Sequence, residues 1–146
     1  GSPEHRVPQL NLGLVLLHRR DFTEARLVLS EVLVAFRRGG RRGLEGALPA
    51  FLLACAADAR DWRAWREHLR LARHLLEDSG FVDGDIAWAA ELGADRALDV
   101  CDPGEALDAL LLARDQWAAL ARTARVEELN GRIDALRSGE VTSKGS

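Results

Sequence analysis

Histidine is the side chain in this sequence best suited to bind a metal ion or to transfer a proton near neutral pH. The chain has four, at His5, His18, His68 and His74. A zinc site on helices needs ligands at short spacing and a further ligand close by. No two of these histidines lie three or four residues apart. The sequence therefore favours histidines on solvent-facing helix surfaces, and we predict neither a metal site nor a cofactor.

The segment Asp83-Gly84-Asp85 has the spaced acids with which a calcium-binding loop begins. Such a loop also needs a third early acid, a central glycine and a terminal glutamate, and these do not follow at the right spacing. The same carboxylates can accept hydrogen bonds from free backbone N–H groups at the start of a helix. We therefore predict that this segment caps a helix.

Sequence patterns of phosphate-binding and nucleophilic enzymes are missing. Gly39-Gly40 lacks the lysine and the serine or threonine of a phosphate loop. No glycine-rich kinase loop and no nucleophile elbow is present either. We predict no catalytic residues and no enzyme activity in this chain, so that any catalytic domain lies outside this sequence.

The composition is typical of a folded protein in water. Hydrophobic residues make up 47% of the chain and charged residues 29%, which separates it from disordered sequences. No apolar run approaches the roughly twenty residues that a membrane-spanning helix needs, and no signal peptide is recognisable. We expect a cytoplasmic protein. Cys55 and Cys101 lie far apart in predicted helices, so we expect reduced, partly buried thiols.

An acid followed by an apolar residue marks a repeated unit. Asp21-Phe22 recurs as Asp61-Trp62 after 40 residues, and Asp102-Pro103 takes the same place after 41 more. A fixed period between twenty and fifty residues is typical of repeat proteins, in which each unit covers an apolar face that its neighbour cannot bury alone.

Apolar residues recur at helical spacing through almost the whole chain, as in the stripe Leu10, Leu14 and Leu17. We predict an all-α fold, an α-solenoid of about three helical hairpins and a C-terminal capping helix. The hairpins are placed at about 8–38, 44–79 and 85–121, and the capping helix at 124–138, within a repeat domain at 8–138. Residues 1–7 are interpreted as a tag remnant and lead-in, and residues 139–146 as a flexible tail. Because the chain begins Gly1-Ser2 and contains no methionine, we interpret it as a fragment.

The clearest helix start is Asp102-Pro103-Gly104-Glu105. We expect the Asp102 carboxylate to cap the helix, Pro103 to take the first helical position, and Glu105 to complete a capping box. Asn130-Gly131 weakens the last predicted helix, because glycine costs about 1 kcal/mol relative to alanine inside a helix.

The first unit carries a family resemblance. Its motifs are Asn11-Leu12-Gly13, then Asp21-Phe22-Thr23-Glu24-Ala25, then Leu29 and Val32. This run closely resembles the tetratricopeptide repeat (TPR), which pairs a Leu-Gly in its first helix with a Glu-Ala early in its second. In the third unit, Leu92-Gly93 and Glu105-Ala106 return. In the second, Leu53 and Trp65 stand where the glycine and the alanine would be.

The spacing of about 40 residues, rather than 34, resembles a long-helix variant of this repeat. That variant occurs in large bacterial ATP-dependent transcription regulators and in the tails of bacterial serine/threonine kinases. The stretch from Asp61-Trp62 through 80–86 to 113–117 is especially similar to the C-terminal repeats of such kinases. The resemblance implies a bacterial signalling protein that uses these repeats as a scaffold for protein binding.

By resemblance to this family, the first helix of each hairpin would face a hollow that binds a protein or peptide segment. The positions concerned are Leu10, Leu14, Leu17, His18, Ala50, Ala54, Ala57, Asp58, Ala90, Ala94, Asp95 and Asp99. Leu10 and Leu14 replace polar residues with which family members hold a terminal carboxylate, so we expect an apolar or mixed contact. The alternative is that these side chains only pack, or contact further repeats.

The four tryptophans divide into two pairs. Trp62 and Trp65 occupy a packing stripe, and we predict that both belong to the core. Trp88 lies near the start of its helix, where an exposed indole would be a contact anchor. Core burial is the preferred interpretation for Trp88 and for Trp117.

Charge is distributed unevenly along the chain. Residues 1–75 carry 13 basic and 8 acidic groups, whereas residues 76–146 carry 7 and 15. Two helical stripes contribute, namely Arg63, Arg66, Arg70 and Arg73, and Glu91, Asp95 and Asp99. One interpretation is solvated faces with interhelical pairs, each worth under about 1 kcal/mol. The other is that complementary poles steer a charged partner or align copies of the chain head to tail.

Arginines near the first glycine pair raise the possibility of nucleic-acid binding. Arg37, Arg38, Arg41 and Arg42 could each attract a phosphate backbone. However, no aromatic residues alternate with them, and the pI of about 5.8 is well below that of basic nucleic-acid binders. Two function classes therefore stay open: a protein-interaction module of a larger signalling protein, and a self-association or spacer segment of a repeat array.

Overall fold

The computed structural model describes residues 7–39, 42–100 and 102–139. Over these residues the chain forms seven α-helices and no β-strand, which confirms the predicted all-α class. In chain order they are α1 (Val7–His18), α2 (Phe22–Gly39), α3 (Arg42–Asp58), α4 (Trp62–Ser79), α5 (Gly84–Asp99), α6 (Pro103–Ala119) and α7 (Thr123–Ser138). Apart from Val7 and Gly139, the predicted tag remnant and tail lie outside the described residues.

The helices belong to two compact units, Gly1–Phe81 and Val82–Ser146. In the first unit α1 packs against α2, α2 against α3, and α3 against α4. In the second, α5 packs against α6 and α6 against α7. Within each unit, short connections turn the chain back on itself, so that helices adjacent in sequence form helical hairpins.

The same hydrogen-bonded turn ends several helices. After α1, the Arg20 N–H donates to the Leu17 carbonyl at 3.0 Å and the Asp21 N–H to the Leu16 carbonyl at 2.9 Å. This is a Schellman motif, which satisfies carbonyls that the helix end leaves unpaired. The α3–α4 and α6–α7 turns repeat both bonds. In each of the three turns the residue that donates the first of these bonds has a left-handed backbone: Arg20 (φ 62°), Arg60 (φ 55°) and Ala121 (φ 58°).

Acidic caps begin two of the helices. The Asp61 carboxylate accepts a hydrogen bond from the Ala64 N–H at 3.1 Å, and Asp83 accepts one from the Asp85 N–H at 2.7 Å. The capping role predicted for Asp83 is therefore confirmed. The side-chain cap predicted for Asp102 is wrong, because its carboxylate makes no capping hydrogen bond. Pro103 takes the first position of α6, where its fixed φ suits the helix and its missing N–H leaves no unpaired donor.

Helix α3 lies at the centre of the first unit. It packs against both α2 and α4, and every residue from 46 to 57 is buried. A helix that is apolar on all sides is stable only when its neighbours cover it. On α4, Trp65 is fully buried as predicted, whereas Trp62 is half-buried and meets it edge to face at 5.5 Å between ring centroids.

The second unit has a smaller apolar core. Ile86, Leu110 and Ile133, from α5, α6 and α7, are essentially inaccessible to solvent. Helix α7 runs without a break through Asn130-Gly131, and its buried residues are Leu129 and Ile133. Few apolar contacts therefore hold α7 in place, and polar contacts take a larger share.

Gly13 allows α1 and α2 to approach closely. A Cβ atom at Gly13 would lie 2.4 Å from Cδ2 and 2.7 Å from Cγ of Leu29. Leu29 is fully buried, so its side chain has no free space into which it can move. This is the glycine of the Leu-Gly pair in the first unit, and its function here is steric.

We expect Gly13→Ala to lower the free energy of unfolding by about 1–3 kcal/mol, because the added methyl group overpacks the contact with Leu29. The matched control is Gly131→Ala in α7, where an added Cβ would have nothing within 4 Å. It should raise the free energy of unfolding by about 0.5–1 kcal/mol. Chemical denaturation followed by circular dichroism measures both. Equal effects would mean that α1 and α2 are not in close contact.

Candidate protein-binding surface

Helix α1 is apolar on almost every side. Its sequence, VPQLNLGLVLLH, contains no carboxylate, and its only titratable side chain is His18 at its end. One side packs against α2, and within the described chain no comparable contact with another helix covers the opposite side. Leu12 and Val15 are consequently 48% and 46% exposed. Apolar side chains at this spacing on a helix form one stripe that faces water.

The predicted partner-binding residues of the first unit lie in different environments. On α1, Leu10 and Leu14 are half-buried and His18 is exposed. At about 100° per residue, His18 borders the apolar stripe beside Val15, whereas Leu10 and Leu14 each lie about 160° around the helix from Leu12. Leu17, in contrast, is fully buried. On α3, Ala54 is buried and Asp58 is half-buried. Leu17 and Ala54 therefore present no surface that a partner could contact.

A small cavity lies between the start of α2 and the end of α3. Its volume is about 260 Å³, below the roughly 300–1,000 Å³ of typical ligand pockets. Burial raises the pKa of the Cys55 thiol in its wall to about 12, so this thiol stays protonated and unreactive near neutral pH. Cys55 is a free, buried thiol as predicted, and Cys101 lies outside the described residues. The lining residues are Phe22, Thr23, Arg26, Leu27, Cys55, Asp58 and Ala59.

A second cavity, of about 340 Å³, lies between the end of α5 and the middle of α7. Leu98 and Leu136 give it an apolar wall, and the missing side chain of Gly131 opens it. Sequence reasoning missed this cavity, although a glycine inside a helix was a usable signal.

The predicted acidic stripe on α5 forms ion pairs within its own unit. Glu91 is 8% exposed, and its carboxylate accepts hydrogen bonds from Nε1 of Trp117 at 2.6 Å and from Arg125 at 2.7 Å. Asp95 pairs with Arg132 at 2.6 Å. Asp99 pairs with Arg96 on its own helix at 3.6 Å. This favours the interpretation of interhelical pairs over an acidic surface for a partner.

Through these two hydrogen bonds, the Glu91 side chain of α5 contacts both α6 and α7. The Arg125 guanidinium also lies over the Trp117 ring, 5.1 Å from its centroid, where a cation is attracted by the ring face. The Trp117 side chain is half-buried, and its Nε1 has a hydrogen-bond acceptor in Glu91. Trp88 is also half-buried. Sequence reasoning missed Arg125, because its contacts join residues that are 34 apart in the chain.

His68 contradicts the prediction of solvent-facing histidines. His18 and His74 are exposed as predicted, and His5 lies outside the described residues. Nδ1 of His68, however, is buried and has no hydrogen-bond partner among the described residues. Burial lowers the pKa of His68 to about 4, and the positive charges of Arg26 and Arg37 act in the same direction. His68 is therefore neutral near pH 7. Sequence spacing could not show this, because the two arginines come from α2.

Comparisons with known proteins found no matching family model, no matching curated protein and no matching solved structure. Among residues 7–39, 42–100 and 102–139, no group of three or more histidine, cysteine, aspartate or glutamate side chains is placed to hold a metal ion. No helix in this part of the chain has both the length and the apolarity needed to cross a bilayer.

We expect Glu91→Ala to lower the free energy of unfolding by about 2–3 kcal/mol, because Trp117 Nε1 and Arg125 lose their shared charged acceptor. Urea denaturation of the purified chain measures the change. The control is Glu127→Ala, which removes an exposed carboxylate from α7 and should change the free energy by no more than about 0.5 kcal/mol. A similar small effect at Glu91 would show that its hydrogen bonds do not contribute to stability.

We expect His68 to make stability depend on pH. Its pKa is about 4 in the folded chain and 6.5 by its ordinary value, so the unfolded chain binds the extra proton first. Stability should be highest above pH 6.5 and fall by up to about 3 kcal/mol as the pH drops towards 4. His68→Gln should reduce this fall, and His74→Gln on the exposed side of α4 should not. Identical pH profiles for the two variants would contradict a neutral buried His68.

Proposed function

We propose that this chain is a non-catalytic scaffold for protein–protein interaction, in which the exposed stripe of α1 binds an apolar segment of a partner protein. The observation that carries the proposal is the exposure of Leu12 and Val15, at 48% and 46%, on a helix without charged side chains. Covering such side chains releases about 25 cal/mol for each Å² of apolar surface. A charged or nucleic-acid ligand would gain nothing comparable there.

The surrounding residues fit a mixed contact of this kind. The exposed His18, one turn from Val15, would add a polar edge. Leu10 and Leu14 are half-buried candidates that lie farther around α1. Asp58 and Trp88 stay candidate contacts, and both are half-buried. Asp95 and Asp99 are weaker candidates, because ion pairs within the second unit already engage them.

We infer that the hairpins are TPR-like units of the long-helix variant, arranged as an α-solenoid. Three observations support this inference. Neighbouring helices pack in chain order within each unit, the Schellman turn recurs at equivalent positions, and Gly13 is packed against Leu29 where the repeat has its Leu-Gly pair. No family match adds to them.

By the same resemblance, the chain would be part of a larger bacterial signalling protein of the cytoplasm, such as a serine/threonine kinase with its catalytic domain outside this sequence. The scaffold would then position a partner or that domain. Direct nucleic-acid binding is disfavoured, since Arg70, on the basic stripe of α4, already pairs with Glu67 at 2.6 Å. The alternative function, self-association, would use a different helix, α2.

We expect Leu12→Asp to abolish binding of the partner segment and to leave the fold intact, because Leu12 is 48% exposed. A photoreactive amino acid at position 12 would first be used in cells to cross-link the bound segment, with the exposed Arg63 of α4 as the control position. The segment identified by mass spectrometry would then be synthesised. Its affinity for the unchanged chain and for Leu12→Asp would be measured by calorimetry.

The proposal requires a segment that cross-links at position 12 and does not cross-link at position 63. The Kd of this segment for the Leu12→Asp variant should be at least about tenfold higher than its Kd for the unchanged chain. Thermal unfolding of the variant should match that of the unchanged chain. If no segment is captured at position 12, or if the captured segment binds Leu12→Asp equally well, α1 is not a protein-binding surface.

A further inference from the structure

Helix α2 has a second face that the described residues of its own unit leave largely exposed, although Thr23 and Leu27 on it also line the cavity beside the end of α3. Its buried side packs into the first unit through Phe22, Ala25, Leu29, Val32, Leu33 and Phe36. On the opposite side, exposed residues recur at three- and four-residue spacing along the whole helix. This outer face of α2 consists of Thr23, Glu24, Leu27, Ser30, Glu31, Val34, Arg37 and Arg38.

The outer face has an apolar centre and oppositely charged ends. Leu27 and Val34, seven residues apart, are 67% and 49% exposed, and a spacing of seven places them on the same line of the helix. Glu24 lies in the first turn and Arg38 in the last. Neither of these two charged residues forms an ion pair with another described residue.

This pattern is self-complementary when a second helix runs in the opposite direction. If a two-fold axis passes beside Ser30 and Glu31, Leu27 of one copy lies opposite Val34 of the other. On the flank of the contact, Glu24 of one copy lies beside Arg38 of the other, and the symmetry gives each of these pairs twice. We propose that the outer face of α2 forms an antiparallel homodimer of this chain.

The charges select this orientation over the parallel one. In a parallel pair the flanks of the two copies would lie on opposite sides of the contact, so Glu24 of one copy would not meet Arg38 of the other. The antiparallel pair brings Glu24 of each copy beside Arg38 of the other, and it places one like-charge contact between Glu31 and Glu31 of the second copy. Opposite charges placed in this way fix the orientation of two helices more than they add affinity.

The size of the contact predicts a weak dimer. Eight residues on each chain are fewer than the 20–30 residues that each partner contributes to a standard stable interface. Association should therefore depend on concentration, and it should weaken with added salt because the charged pairs are exposed. The dimer does not rest on the function proposed above, since that function uses α1.

The test is charge reversal with complementation, measured by sedimentation velocity over a range of concentrations. Glu24→Arg and Arg38→Glu should each weaken the dimer by about tenfold, because each replaces two attractive pairs with two repulsive ones. The double variant Glu24→Arg/Arg38→Glu should dimerise again. An equimolar mixture of the two single variants should form a heterodimer, since both of its flanks then carry opposite charges.

Two of the variants have a matched control. Arg63→Glu makes the same charge change as Arg38→Glu, on the exposed side of α4, and should leave dimerisation unchanged. Leu27→Asp should abolish the dimer, whereas Leu12→Asp on α1 should not, although Leu12→Asp removes partner binding if the function proposed above is right. Glu31→Gln should strengthen the dimer, because it removes the one like-charge contact. Thermal unfolding verifies that every variant is folded.

Three results would overturn the proposal. The first is an unchanged chain that stays monomeric up to the highest soluble concentration. The second is a mixture of the Glu24→Arg and Arg38→Glu variants that associates no better than either variant alone. The third is a dimer that survives Leu27→Asp and is lost in Leu12→Asp, which would place self-association on α1.

Discussion

The need to cover apolar helix faces determines most of this structure. Each helix is short, and each carries apolar residues that only a neighbouring helix can bury. Because the connections are short, that neighbour is an adjacent helix in the chain within the same unit. Helix α3 has a packed neighbour on both sides and is buried from residue 46 to 57. Helix α1 has one such neighbour and is nearly as apolar, so Leu12 and Val15 face water. The proposed binding surface follows from this difference between the two helices.

The two units meet this need in different ways. In the first, close apolar packing dominates, with Gly13 against Leu29 and a fully buried Trp65. In the second, α7 buries few apolar side chains, and its position depends on Glu91 with Arg125 and on Asp95 with Arg132. Polar contacts of this kind fix the orientation of a helix more strongly than they stabilise it, because both partners lose water when they pair. The charge asymmetry of the sequence is thus partly used for internal structure.

Sequence reasoning predicted the parts of the fold that depend on residues close together in the chain. The period between Asp21-Phe22 and Asp61-Trp62 reflects a real turn, since equivalent Schellman bonds end α1 and α3. Capping by Asp83 was also predictable, because its acceptor and its donor are two residues apart. At Asp102 the same rule was wrong, since a neighbouring proline had already set the helix start. The prediction for His68 was wrong for a different reason: His68 is largely buried, and the two arginines that also lower its pKa come from another helix, α2.

The candidate surfaces divide in the same way. Sequence alone determined that the chain is helical, that α1 is mostly apolar, and that Leu27 and Val34 share one line of α2 between Glu24 and Arg38, because periodicity and composition are local properties. Only the tertiary structure decided which of these side chains face water. It buried Leu17 and Ala54, left Leu12 exposed, and joined the α5 acids to arginines of α7. The physical reason is that exposure depends on which helix covers which face, and that depends on contacts between residues far apart in the chain.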